Sequence, residues 1–243
     1  VGFSNYVKAF TDTSSDFLHA LWFTAAFAGL STVLINLFGL AIALLLVRGF
    51  KGTNIFRTVF FLPNMIGGIV LGWLWQVILN GILANYGRTL VYNEWYGFWG
   101  LMIVMLWQQA GYMMIIYISG LTSIPGELIE AAEMDGANSW QVLTRVKLPM
   151  IMPSITICTF LTLTNGFKLF DQNLALTGGM PSMLVEGGKI NATELLALNI
   201  YSTYNIGKNY HGAAQAKAVI FFLLVAVLAI IQQKATSRKE VQQ

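Results

Sequence analysis

Residues 18–47 form a run of thirty positions without a single Asp, Glu, Lys or Arg. At about 1.5 Å per residue a helix of that length reaches roughly 45 Å, more than the roughly 30 Å hydrocarbon layer of a bilayer. Further apolar segments lie near 58–80, 98–122, 153–176 and 212–232. The chain therefore reads as an all-α polytopic membrane protein with five spans. Composition agrees: of 243 residues, 56% are hydrophobic and 10% charged, with a mean hydropathy of +0.64. Soluble domains carry about a quarter charged residues, so a water-soluble enzyme is excluded. The net charge of +3 does not point to nucleic acid, because the basic residues sit in short connectors between apolar runs. One cysteine, Cys158, lies inside an apolar run and offers neither a disulfide framework nor a metal site.

Eight of the fourteen basic residues, Arg48, Lys51, Arg57, Arg145, Lys147, Lys234, Arg238 and Lys239, fall on one side of the spans. The positive-inside rule makes that side cytoplasmic. Segments 1–17, 81–97 and 177–211 then lie outside, with 1–17 an external linker and 177–211 an external loop, and the carboxyl terminus is cytoplasmic. This parity puts the first residue outside in a chain that begins with valine, which predicts a sixth span upstream.

Residues 123–152, a cytoplasmic loop in this topology, hold four acidic and two basic residues in an otherwise charge-poor chain. Lipid cannot bury them. Pro125 suits the first turn of a helix, Glu127, Glu130 and Glu133 favour its positive end, and Gly136 can stop it in the left-handed conformation. A short helix is expected over 126–135. Ser139 offers a cap for a second helix through Gln141, Val142 and Arg145, ending before Pro149. A bare helical hairpin also serves simply to connect spans.

Polar side chains at membrane depth are costly and mark candidate sites. On a continuous helix from 153 to 176, Thr164, Asn165, Lys168, Asp171 and Gln172 share one half, opposite Leu163, Phe167 and Phe170. Lys168 and Asp171, three apart, can pair there. Asn165 falls near mid-membrane. The third span adds Trp107, Gln108, Gln109 and Tyr112; aromatic faces beside amides and a phenol suit a sugar, and equally suit helix-to-helix hydrogen bonding. Pro63, Asn64, Gly67 and Gly68 permit a local break and close helix approach, and Asn36 can either shape the path or touch the solute. His19 and His211 are isolated near span ends and read as interfacial, with no metal site expected.

The order Glu130-Ala131-Ala132, Asp135-Gly136 and Val146-Lys147-Leu148-Pro149 resembles the EAA signature of membrane subunits of binding-protein-dependent ABC importers. Isoleucine is usual where Val146 stands. Phe60-Phe61-Leu62-Pro63, Phe170-Asp171 and Leu176-Thr177-Gly178-Gly179-Met180-Pro181 further resemble carbohydrate-type permeases, especially the maltose-importer-type first permease, although the family usually has glycine at Met180. The resemblance covers nearly the whole chain. It implies the type I ABC importer transmembrane fold as a single domain over 1–243. It implies a coupling helix carrying Glu130, Ala131, Ala132, Asp135, Gly136, Leu148 and Pro149 that docks on a separate ATPase. The partners it implies are a second related permease, two ATPase subunits, an extracytoplasmic solute-binding protein received in part by 182–210, membrane lipid and a sugar, in a bacterial cytoplasmic membrane. No cofactor is expected in this chain, ATP and Mg being held by the ATPase; a G-x-x-x-x-G-K-[ST] loop is absent. Sugar contacts implied by motif match are Gln108, Gln109, Tyr112, Thr162, Asn165, Gly166 and Leu169, the last of which, with Gly166, rests on resemblance alone. Two other readings stay open: an ABC permease for a non-sugar solute, and an ion-coupled secondary transporter using Lys168 and Asp171.

Overall fold

The computed structural model describes residues 3–11, 17–185 and 188–237. In chain order the helices are α1 (Ser4–Thr11), α2 (Phe17–Leu46), α3 (Thr53–Phe61), α4 (Gly68–Ala84), α5 (Glu94–Thr122), α6 (Gly126–Met134), α7 (Ser139–Gln141), α8 (Leu148–Met150), α9 (Met152–Phe167), α10 (Asp171–Leu176), α11 (Leu196–Ile206) and α12 (His211–Ser237). A two-stranded antiparallel hairpin, β1 (Ser182–Val185) and β2 (Gly188–Asn191), pairs Ser182 with Asn191 and Val185 with Gly188. Among the described residues three helices are long and apolar enough to cross a membrane, or up to five elements if each of two bent helix pairs counts as one span.

Expected as a single domain, the chain packs as two compact units, one of residues 1–31, 66–106 and 163–228, the other of 32–65, 107–162 and 229–243. In the first, Phe17 and Ala20 of α2 and Leu196 of α11 are buried against Leu21, Ile220 and Phe221. Phe98 meets Phe23 and Phe27 edge to face, with centroids 5.6 and 5.8 Å apart. In the second, α2 and α5 approach closely at Gly39, where a Cβ would lie 3.0 Å from that of Met113.

Several expectations change. The segment 58–80 is not one helix: α3 gives way to a 3-10 turn at Leu62–Met65, and α4 starts after Gly67, which is extended at φ −60° and ψ 140°. Pro63 has no N–H to continue the α3 ladder, so the break falls at the proline and glycines picked from the sequence. The segment 153–176 is also interrupted, because α9 ends at Phe167 and α10 begins at Asp171. At 16 residues α9 measures roughly 24 Å, short of the hydrocarbon layer.

Within the segment expected as a linker, α1 forms, buries Ala9, and lies against Gly212 at the start of α12 through Asn5. At eight residues, about two turns, it is too short to show as a period. Residues 177–211 are more than a solvated loop: they contain the hairpin and α11, with Leu196, Leu198, Asn199 and Thr203 buried. Glu186 lies outside the described residues, as do Arg238 and Lys239.

Close helix crossings test the packing. A Cβ on Gly111 would overlap the Phe60 carbonyl, so Gly111→Ala should destabilise by about 1–3 kcal/mol or more. Gly29 has nothing within 4 Å of its Cβ position, and Gly29→Ala should be neutral or stabilising. Thermal melting in detergent of the two variants beside the parent checks both.

Candidate functional site

The segment 124–151 forms a helical elbow in the second unit. Pro125, extended at φ −58° and ψ 130°, is the N-cap of α6 rather than part of its first turn. The helix stops at Gly136, whose φ of +81° is left-handed. Gly136 N–H donates to the Glu133 carbonyl at 3.0 Å, and Ala137 N–H to the Ala132 carbonyl at 3.0 Å. These two bonds are a Schellman stop, and they satisfy carbonyls that a simple helix end leaves bare. None of the nine residues of α6 is buried.

The next cap is Asn138, not Ser139. Asn138 Oδ1 accepts from Gln141 N–H at 2.9 Å while Gln141 Oε1 accepts from Asn138 N–H at 2.8 Å, a closed capping box. Asparagine wins because Gln141 stands three residues after it and closes the box, whereas three residues after Ser139 stands Val142, which has no side-chain acceptor. Nor does the helix end before Pro149. A π-helical turn over Val142–Lys147 carries it into α8 through Met150. The wider turn accommodates a proline ring that would otherwise press on the carbonyl four residues earlier. Beyond Ile151 the chain bends by 71° into α9. Glu130, Ala131, Asp135 and Gly136 are exposed; Ala132, Leu148 and Pro149 are half-buried.

Four nominated solute residues lie in the second unit. On α5, Gln108 is buried, whereas Gln109 and Tyr112 are half-buried, and the Tyr112 ring lies 6.4 Å from that of Phe61. Thr162 on α9 is fully buried. Its hydroxyl donates to the Cys158 carbonyl at 2.8 Å and accepts from Asn36 Nδ2 at 2.9 Å. Asn36 Oδ1 in turn accepts from the Tyr117 hydroxyl at 2.6 Å. Asn36 thus ties α2, α5 and α9 together, and Thr162 spends its hydroxyl inside the protein.

The other three fall in the first unit. Asn165 is half-buried and Leu169 buried. Gly166 marks a close crossing: a Cβ there would lie 2.9 Å from Ala28 Cα on α2. The Lys168–Asp171 pair assumed an unbroken helix, and the break between Phe167 and Asp171 removes the one-turn spacing. Both side chains are exposed, and among the described residues no ion pair joins them. Asp171 opens α10, which packs on α4 across Gly68 and Gly72; a Cβ on Gly72 would sit 2.8 Å from that of Ala175.

Sequence reasoning missed a set of buried polar groups in this unit. Asn173 donates to the Thr193 carbonyl at 2.8 Å and accepts from Leu195 N–H at 2.9 Å. Thr24 of α2 accepts from Leu196 N–H at 2.8 Å, and Gln76 of α4 donates to the Leu176 carbonyl at 3.0 Å. Lys217, only 1% exposed, donates to Asn199 Oδ1 at 3.0 Å and Thr203 Oγ1 at 2.9 Å, while Asn199 Nδ2 reaches Glu194 Oε2 at 3.3 Å. A lysine six residues into the last apolar run was itself the available signal. His19 turns a ring nitrogen to the Ala192 carbonyl at 3.0 Å, and His211 stacks on Tyr204 at 4.0 Å. Among the described residues no group of three His, Cys, Asp or Glu side chains comes together to hold a metal.

A family model described as binding-protein-dependent transport system inner membrane component matches residues 16–240. The chain is 41% identical to the probable starch degradation products transport system permease protein AmyD of Thermoanaerobacterium thermosulfurigenes, across 100% of this chain and 82% of that one. It is 33% identical to the multiple sugar-binding transport system permease protein MsmF of Streptococcus mutans, across 99% and 82%. It is 28% identical to the trehalose/maltose transport system permease protein MalF of Thermococcus litoralis, across 96% and 79%. A bacterial alginate ABC transporter, solved with an alginate pentasaccharide-bound periplasmic protein, has a TM-score of 0.78 at 23% identity, covering 98% of this chain and 83% of its own. An amino acid ABC transporter has a TM-score of 0.65 at 16% identity, covering 98% and 99%. These two structures share the fold.

The Asn36 junction yields a quantitative expectation. A double-mutant cycle with Asn36→Leu and Tyr117→Phe, read by unfolding in detergent, should give a coupling of about 0.6–1.7 kcal/mol, the range of hydrogen bonds between membrane helices. Additive effects would mean that the hydroxyl and the amide do not interact.

Proposed function

Because the chain belongs to the family of binding-protein-dependent transport system inner membrane components, we propose that it moves a sugar or oligosaccharide through a bacterial cytoplasmic membrane by alternating access, driven by separate ATPase subunits. It is a multi-pass membrane protein and a transport subunit rather than an enzyme. The observation that carries the mechanism is the exposed elbow. A short helix stopped by a Schellman turn and followed at once by a capping box is a projection of defined shape, suited to receive a push from an ATP-hydrolysing partner. Its acidic side chains complement basic groups on such a partner. The 71° bend leads directly from the elbow into α9, so displacement of the elbow acts on a helix that carries Thr162 and Asn165.

The sugar assignment draws on the relatives, whose names specify starch degradation products, multiple sugars and trehalose or maltose. Gln109, Tyr112 and Asn165 are the nominated polar residues with partly exposed side chains, and each is assigned a sugar contact: amides for hydroxyls, a phenol ring for the apolar face. Gln108 and Thr162, both buried, are assigned supporting roles within the second unit. In this reading the elbow and the carboxyl terminus face the cytoplasm, as the basic residues around them favour. A second permease, two ATPases and a solute-binding protein complete the assembly.

Purified with its partners, the complex should show ATP hydrolysis stimulated by sugars in the presence of the binding protein and not by oxyanions or amino acids; the reverse pattern would overturn the sugar class. Transport that persists without the ATPase and collapses with the proton gradient would overturn the importer itself. Replacing Tyr112 with Ala or Asn165 with Ala should raise the half-saturating sugar concentration about tenfold, corresponding to about 1.4 kcal/mol each. Gly136→Val forces a β-branched residue into a left-handed conformation at a cost of roughly 1–2 kcal/mol. It should uncouple ATP hydrolysis from uptake while leaving the binding protein's sugar affinity unchanged.

A further inference from the structure

In the second unit a cavity of about 340 Å³ lies where α2 and α5 end. Its walls include Leu44 and Leu121 from the last turns of those two spans, and its polar lining includes Arg48, Lys147, Ser139 and Glu133. Glu133, Ser139 and Lys147 belong to the elbow, but the transport reading assigns the cavity itself no occupant. The face of α6 that lines it, carrying Glu133, lies away from Glu127 and Ala131, which offer the elbow's outward side.

Two features of this cavity need a ligand to explain them. First, it brings two cations to one wall system, and among the described residues neither the Arg48 guanidinium nor the Lys147 ammonium has a hydrogen bond or an ion pair, not even with Glu133. Two unpaired like charges in a concave, half-apolar space repel each other and attract an anion. Second, the cavity is amphiphilic: Leu44 and Leu121 belong to membrane-spanning helices, Ile129, Val142 and Leu143 add apolar wall from the elbow, and the charges lie in the connectors beyond the spans. A soluble anion would gain nothing from the leucines, whereas a phospholipid has a phosphate for the cations and acyl chains for the apolar wall. Basic pockets at the ends of membrane helices are where anionic headgroups are held.

We propose that this cavity binds the headgroup of an anionic glycerophospholipid of phosphatidylglycerol type. The phosphate accepts from the Arg48 guanidinium and the Lys147 ammonium, and Arg48 supplies the planar fork that matches two phosphate oxygens. The headgroup hydroxyls donate to the Glu133 carboxylate, with Ser139 beside them. With Arg48, Lys147 and Glu133 the site has a net charge of +1, which a single phosphodiester neutralises. A choline headgroup makes the lipid zwitterionic, which leaves the net charge of +1 uncompensated, and it brings no donor for Glu133, so it is disfavoured. The bound lipid packs between the end of α2 and the elbow, which makes the elbow's position sensitive to leaflet composition. The proposal rests on the chain spanning a membrane and is independent of the solute carried; the orientation proposed above puts the cavity at the cytoplasmic leaflet.

The test is native mass spectrometry of the purified, delipidated protein re-exposed to equal concentrations of phosphatidylglycerol or phosphatidylcholine. Phosphatidylglycerol should be retained preferentially. R48Q combined with K147Q should reduce its retention roughly 30-fold, as expected for two charges at a membrane surface, while R48K combined with K147R should preserve it. E133Q removes the opposing charge and keeps an acceptor, so it should increase retention; this arm reads the site even if the double variant unfolds. Equal retention of the two lipids, or unchanged retention in the double glutamine variant, overturns the proposal. So does displacement of the lipid by millimolar glycerol phosphate, which would identify a free phosphate ester as the occupant. Sugar-stimulated ATP hydrolysis by the complex is a separate readout, so failure of the lipid site and failure of the transport reading are distinguishable.

Discussion

Within a bilayer a backbone N–H or C=O that leaves its helix has no water to turn to, and every departure from helix must be met by another group of the protein. This chain departs from helix at 62–67, at 168–170 and again after Leu176, and around the last of these side chains take up the freed backbone groups. Gln76 takes the carbonyl of Leu176 at the end of α10, Thr24 takes the first N–H of α11, and Asn173 serves Leu195 and Thr193 together. The cost of leaving such groups bare is several kcal/mol each in hydrocarbon. Polar residues in the spans are thus first of all the means by which broken backbone is tolerated.

The same requirement explains why glycines gather at crossings rather than at random. Where two broken elements must pack, as α10 does on α4, Gly68 and Gly72 let the backbones meet with no side chain between them. Close approach in turn brings Asp171 and Gln172 against α4 and fixes the short helix that follows the break. Elsewhere the chain uses stiffness instead. The Schellman stop, the capping box and the π turn leave the segment from Gly126 to Met150 few soft dihedrals.

Much of this was legible in the sequence. Thirty uncharged positions announce α2, and the paired alanines with Gly136 announce the elbow, because charge and a left-handed glycine have few other uses there. The break near Pro63 was legible for the same reason, since proline removes a donor wherever it stands. The break after Phe167 was not. Lys168, Leu169 and Phe170 carry no proline or glycine, and helical periodicity runs straight through them, so a wheel drawn across the gap paired Lys168 with Asp171. Thr162 and Asn36 show a different limit: composition marks a polar residue at depth but not whether its hydrogen bonds are already taken. Glu194 and Lys217 show the converse, charges set down as loop or left unnoticed that tertiary contacts with Asn199 draw inside.

Helix α6 has nine residues and not one of them is buried. Isolated helices shorter than about 12–15 residues are marginal in water, so its caps shape it without giving it a core. Much of its folding free energy must then come from whatever surface it rests against. Docking and folding of that short rod are a single linked equilibrium, and tightening the grip on it is thermodynamically the same act as finishing its structure.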